Sequence, residues 1–219
     1  GRHVHAKHPQ AFHQFSPGPK IMQLHTTSLK PWLDAVASKT STPGGGNVAA
    51  VLGAQATALI SMVCQFSSAD RIDEQLIAQL DRTRDQFLIL ADADSAAFDQ
   101  LMHSYRVTKA DPLRAENLQQ AIVKAALIPL EIYELATKTG QLLLKIEPTS
   151  NPNLRSDTAM AAWITNTTLA SAEINVLINL KEITDKQVKA DIEKRLRCAK
   201  ELKPALITLI DSLVQKIAR

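Results

Sequence analysis

The segment from residue 47 to residue 66 contains no charged residue over twenty consecutive positions. A helix of this length could cross a membrane. However, Ala or Gly occupies many of its positions, and five polar side chains interrupt it: Asn47, Gln55, Thr57, Ser61 and Gln65. Small side chains let neighbouring helices approach closely, so we expect a central helix surrounded by other helices and no membrane partner.

The rest of the chain has the spacing of amphipathic helices. Only 4% of the residues are aromatic, while Ala and Leu are abundant, and this composition favours packed helices over a β-sandwich. The predicted fold is all-α, an antiparallel bundle of long, partly kinked helices around one core with no sheet. We expect helices at 28–36, 47–66, 70–105 (one helix or two in tandem), 113–139, 142–146, 156–180 and from 184 or 185 to the C-terminus.

Several residues predict where these helices begin, bend or end. Ser28 and Ser156 are typical helix N-caps. Pro129 and Pro204 should each bend a helix, because a proline inside a helix removes one backbone hydrogen bond. Gly140 should mark a stop or a bend.

The N-terminal end differs from the rest of the chain. Residues 1–21 hold Arg2, Lys7 and Lys20 and no acidic residue, so they account for the whole net charge of +3, and the remaining 22 basic and 22 acidic residues cancel. The body therefore lacks the basic excess of a nucleic-acid binder. We expect residues 1–21 to be a disordered leader, native or left from expression, and 22–219 to be a single helical domain.

The two cysteines, Cys64 and Cys198, both fall in helical stretches. A disulfide framework is therefore not expected, and reduced thiols are typical of a cytoplasmic protein. Neither cysteine has a histidine at the spacing of a metal site, and most histidines lie near the N-terminus in a segment without hydrophobic periodicity. We predict no metal site.

Asp94 lies on the apolar stripe of its helix, between Leu90 and Phe98. A carboxylate in apolar surroundings must be paired, hydrogen-bonded or protonated. Asp94 therefore either forms an internal ion pair or helix cap, or belongs to a functional site. Asp157 follows Ser156 in a first helical turn, where the helix dipole favours an acid, so a structural and a catalytic role both remain open.

Two further features predict either packing or ligand binding. Asn175 and Asn179 are four residues apart, so they share one face of an apolar helix, as internal hydrogen-bonding groups or as a pocket wall. The loop 43–46, Pro-Gly-Gly-Gly, precedes a helix and exposes backbone N–H groups that suit an anion. It lacks the pattern of a Walker loop or of a dinucleotide fingerprint, and a tight turn that permits close helix packing is the alternative.

Five motifs, taken in order, resemble the formiminotetrahydrofolate cyclodeaminase and methenyltetrahydrofolate cyclohydrolase family, from about Leu29 to the C-terminal helix. They are STPGGGNVAA at 41–50, ADADSAAF at 91–98, IPL at 128–130, NPNLRSD at 151–157 and NVLINL at 175–180. The chain departs from the family at Asn47, where the family usually has Ser.

The resemblance implies an all-helical, dimer-forming enzyme that acts on a tetrahydrofolate derivative without a metal or a nucleotide cofactor. It implies Asp94 and Asp157 as catalytic residues, since carboxylates can stabilise a cationic intermediate and carry protons. The glutamate tail of folate is anionic and needs donors, for which Arg106, Lys109 and Arg155 are candidates. The complete set of predicted substrate-binding residues is Pro43, Gly44, Gly45, Gly46, Asn47, Tyr105, Arg106, Lys109, Asn151, Arg155 and Asn179.

The expected reaction is the conversion of 5-formiminotetrahydrofolate to 5,10-methenyltetrahydrofolate with loss of ammonia. Methenyltetrahydrofolate cyclohydrolase activity is the alternative, since it would use the same pocket with water attacking the methenyl carbon. A non-catalytic folate-binding or assembly protein is a further alternative, favoured by the replacement of Ser by Asn47.

Overall fold

The computed structural model of the protein describes residues 27–67, 74–108 and 110–219. The predicted leader, 1–21, lies outside the described residues. Across the described ranges the chain forms seven α-helices and no strand, which confirms the predicted all-α fold. They are α1 (Leu29–Val36), α2 (Gly45–Gln65), α3 (Glu74–Arg106), α4 (Arg114–Ile146), α5 (Arg155–Leu180), α6 (Lys186–Arg197) and α7 (Leu202–Ile217), with short 3-10 turns at Glu147–Thr149 and Pro152–Leu154.

Helices α2, α3, α4 and α5 form an antiparallel ring. Near the start of α2, the Nδ2 of Asn47 donates to the carbonyl oxygen of Ala91 in α3 at 2.8 Å. Six residues further along α2, Gly53 lies against the ring of Phe87, which precedes Ala91 in α3, so the two helices run in opposite directions. The same reversal relates α4 to α5, and α7 packs on the outside of α5.

Helix α2 is the central helix, as predicted from its uncharged sequence. It packs against α3, α4 and α5, and Ile60 and Val63 are fully buried. By length and composition α2 is also the one described helix that could cross a membrane, but 67% of its most apolar window is buried within the protein, as is typical of a core helix. Gly53 lets α3 approach closely, because a Cβ there would lie 2.4 Å from the Phe87 ring.

The prediction that a helix stops at Gly140 and that a separate helical piece follows at 142–146 is wrong. Helix α4 is continuous from Arg114 to Ile146, and Pro129 lies inside it as predicted. Gly140 is there for packing, since a Cβ would lie 3.1 Å from Leu202 and 3.3 Å from Thr165. Tertiary contact with α5 and α7 therefore explains this glycine better than a helix end does.

The predicted single C-terminal helix bent at Pro204 is also wrong. The chain breaks between Arg197 and Leu202, and Pro204 falls in the first turn of α7, where its missing N–H removes no helical hydrogen bond. Asp185 does begin α6 as predicted, since its carboxylate accepts from the N–H groups of Gln187 and Val188 at 2.7 and 3.1 Å.

The two predicted serine caps make no capping hydrogen bond. Ser28 precedes α1, but its side chain does not cap the helix. Helix α5 begins at Arg155, so Ser156 lies inside the first turn and its Oγ contacts Oδ2 of Asp157 at 3.4 Å. The preceding 3-10 turn, capped by Asn151, already leads the chain into the helix.

Two polar contacts fix α6 on the bundle. The hydroxyl of the buried Tyr133 in α4 donates to the carbonyl oxygen of Leu196 at 2.9 Å. The guanidinium of Arg195 donates to both carboxylate oxygens of Glu134 at 2.7 and 2.9 Å. This bidentate pair holds the pKa of Glu134 below its usual value, mainly through the hydrogen bonds from Arg195.

Candidate active site

A cavity of about 430 Å³ opens at one end of the bundle. The start of α2, the second half of α3 and the end of α5 surround it, together with the loop that precedes α2. Polar groups at its wall include the backbone of Gly45 and Gly46 and the side chains of Asp94, Asn175 and Asn179. The cavity therefore gathers residues that are distant in the sequence.

Helix α2 begins at Gly45, two residues before its predicted start at Asn47. Gly45, Gly46 and Asn47 are thus the first three helical residues, whose N–H groups have no acceptor within the helix. The N–H of Asn47 donates to the carboxylate of Asp94. Asp94 from α3 therefore accepts a hydrogen bond at the positive end of α2.

This contact requires glycine at position 46. A Cβ on Gly46 would lie 2.2 Å from Oδ1 of Asp94 and 2.6 Å from its Oδ2. Real atoms do not approach so closely, so any larger residue would displace the carboxylate. At Gly44, by contrast, a Cβ would lie 3.6 Å from the carbonyl oxygen of Ser41, an ordinary contact.

Burial raises the pKa of Asp94 from the ordinary 3.8 to about 6, although the hydrogen bond from the Asn47 N–H acts in the opposite direction. Desolvation disfavours the charged carboxylate, and no cation among the described residues compensates it. Asp94 is therefore half-buried at the cavity wall and can gain or lose a proton near neutral pH. This is the property expected of a group that carries protons.

The side chain of Asn47 has a positioning role beneath the cavity. It is buried, its Oδ1 accepts from Nε1 of Trp32 at 2.9 Å, and its Nδ2 donates to Ala91 and to Oγ of Ser95 at 2.8 and 3.2 Å. Asn47 thus ties α1, α2 and α3 together where Asp94 meets α2. Its side chain was predicted to bind substrate, but it lies outside the cavity lining.

The remaining wall combines amides with apolar surface. Nδ2 of Asn175 donates to the carbonyl oxygen of Ser171 at 2.8 Å, and Nδ2 of Asn179 donates to that of Ala125 at 3.0 Å. Two side-chain amides therefore line the cavity, and their hydrogen bonds to backbone carbonyl oxygens fix their orientation. Phe98, Leu101, Met102 and Ile178 supply apolar surface, and the predicted Tyr105 lies at the rim, 44% exposed.

Three predicted site residues lie at the opposite end of the bundle. Asp157 and Arg155 are in the first turn of α5, and Asn151 precedes it. Asp157 is eighteen residues before Asn175 on this helix, which corresponds to about 27 Å along the helix axis. Within one chain, therefore, Asp157 and Asp94 do not share a cavity.

At that opposite end Asn151 has a clear structural role. Its Nδ2 donates to the carbonyl oxygen of Phe66, and its backbone N–H donates to Oγ of Ser67, both at 2.9 Å. These hydrogen bonds join the end of α2 to the start of α5. Helix pairing therefore accounts for Asn151 without any ligand.

The other predicted residues have mixed positions. Pro43 follows Thr42 through a cis peptide bond and is flanked by the lining residues Thr42 and Gly44. Arg106 ends α3 and is exposed outside the cavity lining, and Lys109 lies outside the described residues. The predicted site residues did not include Lys181 and Glu182, which line the rim of the cavity. Both residues directly follow the Asn175–Asn179 face, so that face was a signal by which they could have been found.

Among the described residues, no group of three or more His, Cys, Asp or Glu side chains is arranged to hold a metal ion. Cys64 is buried and Cys198 is exposed, and both are free thiols. The carboxyl group of Asp94 at the cavity wall, whose pKa is raised by burial, is thus not part of such a cluster.

The sequence profile of formiminotransferase-cyclodeaminase matches residues 28–198 of the chain. The chain belongs to this family. The assignment predicted from the five sequence motifs is thereby confirmed, and the glycine–Asp94 arrangement lies within the matched region.

Curated proteins with different names resemble the chain. The formimidoyltransferase-cyclodeaminase of Sus scrofa is 32% identical over 190 residues, which cover 82% of this chain and 35% of that protein. The methenyltetrahydrofolate cyclohydrolase of Methylorubrum extorquens is 30% identical over 182 residues, which cover 78% of this chain and 86% of that protein. The chain thus spans about a third (35%) of the length of the animal relative.

A solved structure of the same family has the same fold. The crystal structure of formiminotetrahydrofolate cyclodeaminase from Thermotoga maritima matches with a TM-score of 0.80 at 29% identity, covering 89% of this chain and 99% of that one. The chain is therefore a member of a family of folate one-carbon enzymes, built on a shared helical scaffold.

Proposed function

We propose that the protein converts 5-formiminotetrahydrofolate to 5,10-methenyltetrahydrofolate and ammonia. The observation that carries this proposal is the carboxyl group of Asp94, whose pKa of about 6 lies near neutrality, at the wall of a cavity large enough for part of a folate. The names of the cyclodeaminase relatives support the same reaction.

The reaction needs one group that moves a proton between two nitrogens. N10 of the folate attacks the protonated formimino carbon on N5, forming the N10–carbon bond. The proton on N10 must then reach the former formimino nitrogen, which leaves as ammonia when its bond to carbon breaks. The ionised carboxylate of Asp94 can take the first proton and deliver it to the departing nitrogen, because its pKa lies near the working pH.

The same carboxylate suits the charge of the reactants. The protonated formimino group and the methenyl product are both cationic, and a half-buried carboxylate without a cationic partner among the described residues attracts a cation strongly. The pterin ring would contact the apolar surface of Phe98 and Ile178 and the side-chain amides of Asn175 and Asn179. Lys181 is exposed at the rim, with its Nζ 3.9 Å from Oε1 of Glu182, and can attract the anionic glutamate tail.

Methenyltetrahydrofolate cyclohydrolase activity is the second candidate. It is favoured by the similarity to the Methylorubrum extorquens cyclohydrolase, of which the chain covers 86% of the length. In this reaction water adds to the methenyl carbon while the Asp94 carboxylate takes one of its protons. The remaining hydroxyl proton passes to N5 as the bond between N5 and this carbon breaks, and 10-formyltetrahydrofolate forms.

A spectrophotometric assay of methenyltetrahydrofolate distinguishes the candidates. Cyclodeaminase activity makes the methenyl absorbance grow from the formimino substrate, with one ammonia per product, whereas cyclohydrolase activity removes this absorbance. Asp94→Asn should reduce the preferred reaction about a hundredfold or more, equivalent to about 2.7 kcal/mol of transition-state stabilisation. Asp99→Asn, on the exposed face of the same helix, is the matched control and should retain turnover.

Tight folate binding by a wild-type protein that is inactive with both substrates would favour the non-catalytic alternative. Normal turnover in a folded Asp94→Asn variant would remove Asp94 from the mechanism. We further propose that the enzyme is a cytoplasmic homodimer that needs no metal or nucleotide cofactor. The free cysteines are consistent with a reducing compartment.

A further inference from the structure

We propose that two copies of the chain pair antiparallel along α5, so that Asp157 of each copy completes the Asp94 cavity of the other. The inference rests on the proposed function, because it assigns Asp157 to the same active site. It reconciles the predicted catalytic pair with a single-chain separation of about 27 Å between Asp157 and the cavity residue Asn175 on α5.

The first observation is an exposed stripe along α5. Its six residues, which we call the α5 stripe, are Met160, Trp163, Thr167, Ala170, Ile174 and Leu177. Ile174 is 66% exposed, Met160 54% and Trp163 49%, although α5 is otherwise packed against α2, α4 and α7. A large apolar stripe left in water is typical of an interaction surface.

The second observation is the spacing of the α5 stripe. Successive members are three, four, three, four and three residues apart, which is the a/d pattern that forms the seam between two paired helices. The small Thr167 and Ala170 lie at its centre, where they allow close approach, and the larger side chains lie towards its ends. A second copy of α5 fits this surface when it runs in the opposite direction. The small residues of the stripe then oppose small residues, and the large apolar residues oppose large apolar residues.

An antiparallel pair about a two-fold axis near 168–169 matches the stripe residue by residue. Thr167 then faces Ala170, Trp163 faces Ile174, and Met160 faces Leu177 of the second copy. Each large side chain therefore meets an apolar partner across the seam. A parallel pair would instead place the two Trp163 side chains together.

The ends of the stripe favour the same direction. In the antiparallel pair Asp157 lies close to the partner subunit's Lys181, so opposite charges meet at both ends. In a parallel pair, Asp157 would face the partner's Asp157, and Lys181 the partner's Lys181. Like charges held close across an interface disfavour that arrangement.

The register also brings Asp157 to the cavity. Asp157 is three residues before Met160 and Leu180 is three residues after Leu177, so these positions oppose each other in the antiparallel pair. Ser156 is four residues before Met160, so it continues the spacing of the seam. Asp157 follows Ser156 as Ile178 follows Leu177, so Asp157 and Ile178 lie on the same flank of the seam. Because Ile178 and Lys181 line the cavity, each Asp157 reaches the rim of the other copy's Asp94 site.

Cysteine crosslinking tests the direction of the pair without using activity. In a Cys198→Ser background, which removes the exposed native thiol, the double variant Met160→Cys/Leu177→Cys should form a covalent dimer on mild oxidation. The two positions are about 26 Å apart within one helix, so an internal disulfide is excluded. Met160→Cys alone is the matched control and should stay uncrosslinked. A crosslink in the control, or none in the double variant, would overturn the antiparallel pair.

Complementation tests the shared site. Asp94→Asn and Asp157→Asn homodimers should each lose turnover about a hundredfold or more. A heterodimer of the two, purified through a different tag on each subunit, contains one intact site of two and should recover about half of wild-type turnover. If both carboxylates acted within one chain, both sites of the heterodimer would be damaged and turnover would stay as low as in the homodimers.

The two experiments separate failure of the interface from failure of the function. A crosslinked dimer whose wild type turns over neither substrate would overturn the proposed reaction and the catalytic part of the inference, while supporting the antiparallel pair. An active wild type that sediments as a monomer would overturn the inference and the proposed homodimer, and would leave the proposed reaction. A fully active Asp157→Asn variant would overturn the shared site alone. A stripe covered by the N-terminal residues of the same chain would likewise give an active monomer.

Discussion

Replacing Asp94 by Asn should make the protein more stable above pH 6 while reducing its turnover. The carboxyl group of Asp94 has a pKa of about 6 in the folded state against an ordinary value of 3.8, because burial disfavours its charge. Each tenfold change in an ionisation constant corresponds to about 1.4 kcal/mol, so ionising Asp94 costs the folded state about 3 kcal/mol. Asn does not ionise, and its amide oxygen can still accept the Asn47 N–H.

The sign of the effect depends on pH. Below about pH 3.8 the carboxyl is protonated in both folded and unfolded chains, so wild type and variant should be equally stable. Between pH 3.8 and about 6 the unfolded chain ionises first, and the wild type loses stability relative to the variant. Above about pH 6 the difference should be constant, with the variant more stable by up to about 3 kcal/mol.

Urea unfolding from pH 4 to pH 8 measures this difference directly. Asp99→Asn is the matched control, because Asp99 is exposed on the same helix and its replacement should change the free energy of unfolding by less than about 0.5 kcal/mol at any pH. A free-energy difference between wild type and Asp94→Asn that does not change with pH would refute the reasoning. A destabilised variant at pH 8 would show instead that the Asp94 carboxylate holds α2 in place.

The remaining predictions concern other contacts in the structure. Because kcat/KM reports the free enzyme, it should fall as pH decreases below about 6, where Asp94 becomes protonated; a profile flat from pH 5 to 8 would contradict a role as base. Gly46→Ala should lose most of its turnover because its Cβ displaces the Asp94 carboxylate, whereas Gly44→Ala, whose Cβ makes an ordinary contact, should lose clearly less, and equal loss in both would contradict the steric argument. Glu134→Gln should lower the free energy of unfolding at pH 7 by about 1 kcal/mol, since the bidentate pair with Arg195 is about one-third exposed, and this loss should vanish as pH falls through the lowered pKa of Glu134. Deletion of residues 1–21, a stretch without an apolar face, should leave the thermal midpoint unchanged, and a clear decrease would indicate that the segment packs on the body.

Local sequence patterns were sufficient to predict the helices and the inward position of one carboxylate, that of Asp94. The spacing of apolar residues depends on the period of a single helix, so it predicted α2 as a core helix and placed Asp94 on an inward face. The order of five short motifs likewise identified the family, because each motif keeps its local sequence. These inferences need no knowledge of which helices are neighbours.

Other features depended on contacts between helices that are distant in the sequence. The sequence around Gly140 suggests a helix end, but Gly140 lies inside α4, where the side chains of Leu202 and Thr165 leave little room for a Cβ. The sequence suggests that Asn47 contacts a ligand, but in the structure its side chain accepts a hydrogen bond from Trp32 and donates one to Ser95. A helix boundary or a side chain's partner is decided by what packs nearby, and this information is not present in a short window of sequence.

The sequence by itself determined that the chain is a helical bundle of the formiminotransferase-cyclodeaminase family, with acidic residues at two of its motifs. Only the tertiary structure decided that Asp94 meets Gly46 at the start of α2, while Asp157 lies at the far end of α5. The physical reason is that helical periodicity reports which way a side chain points around its own axis. It does not report the distance between two helices or the point along each at which they meet.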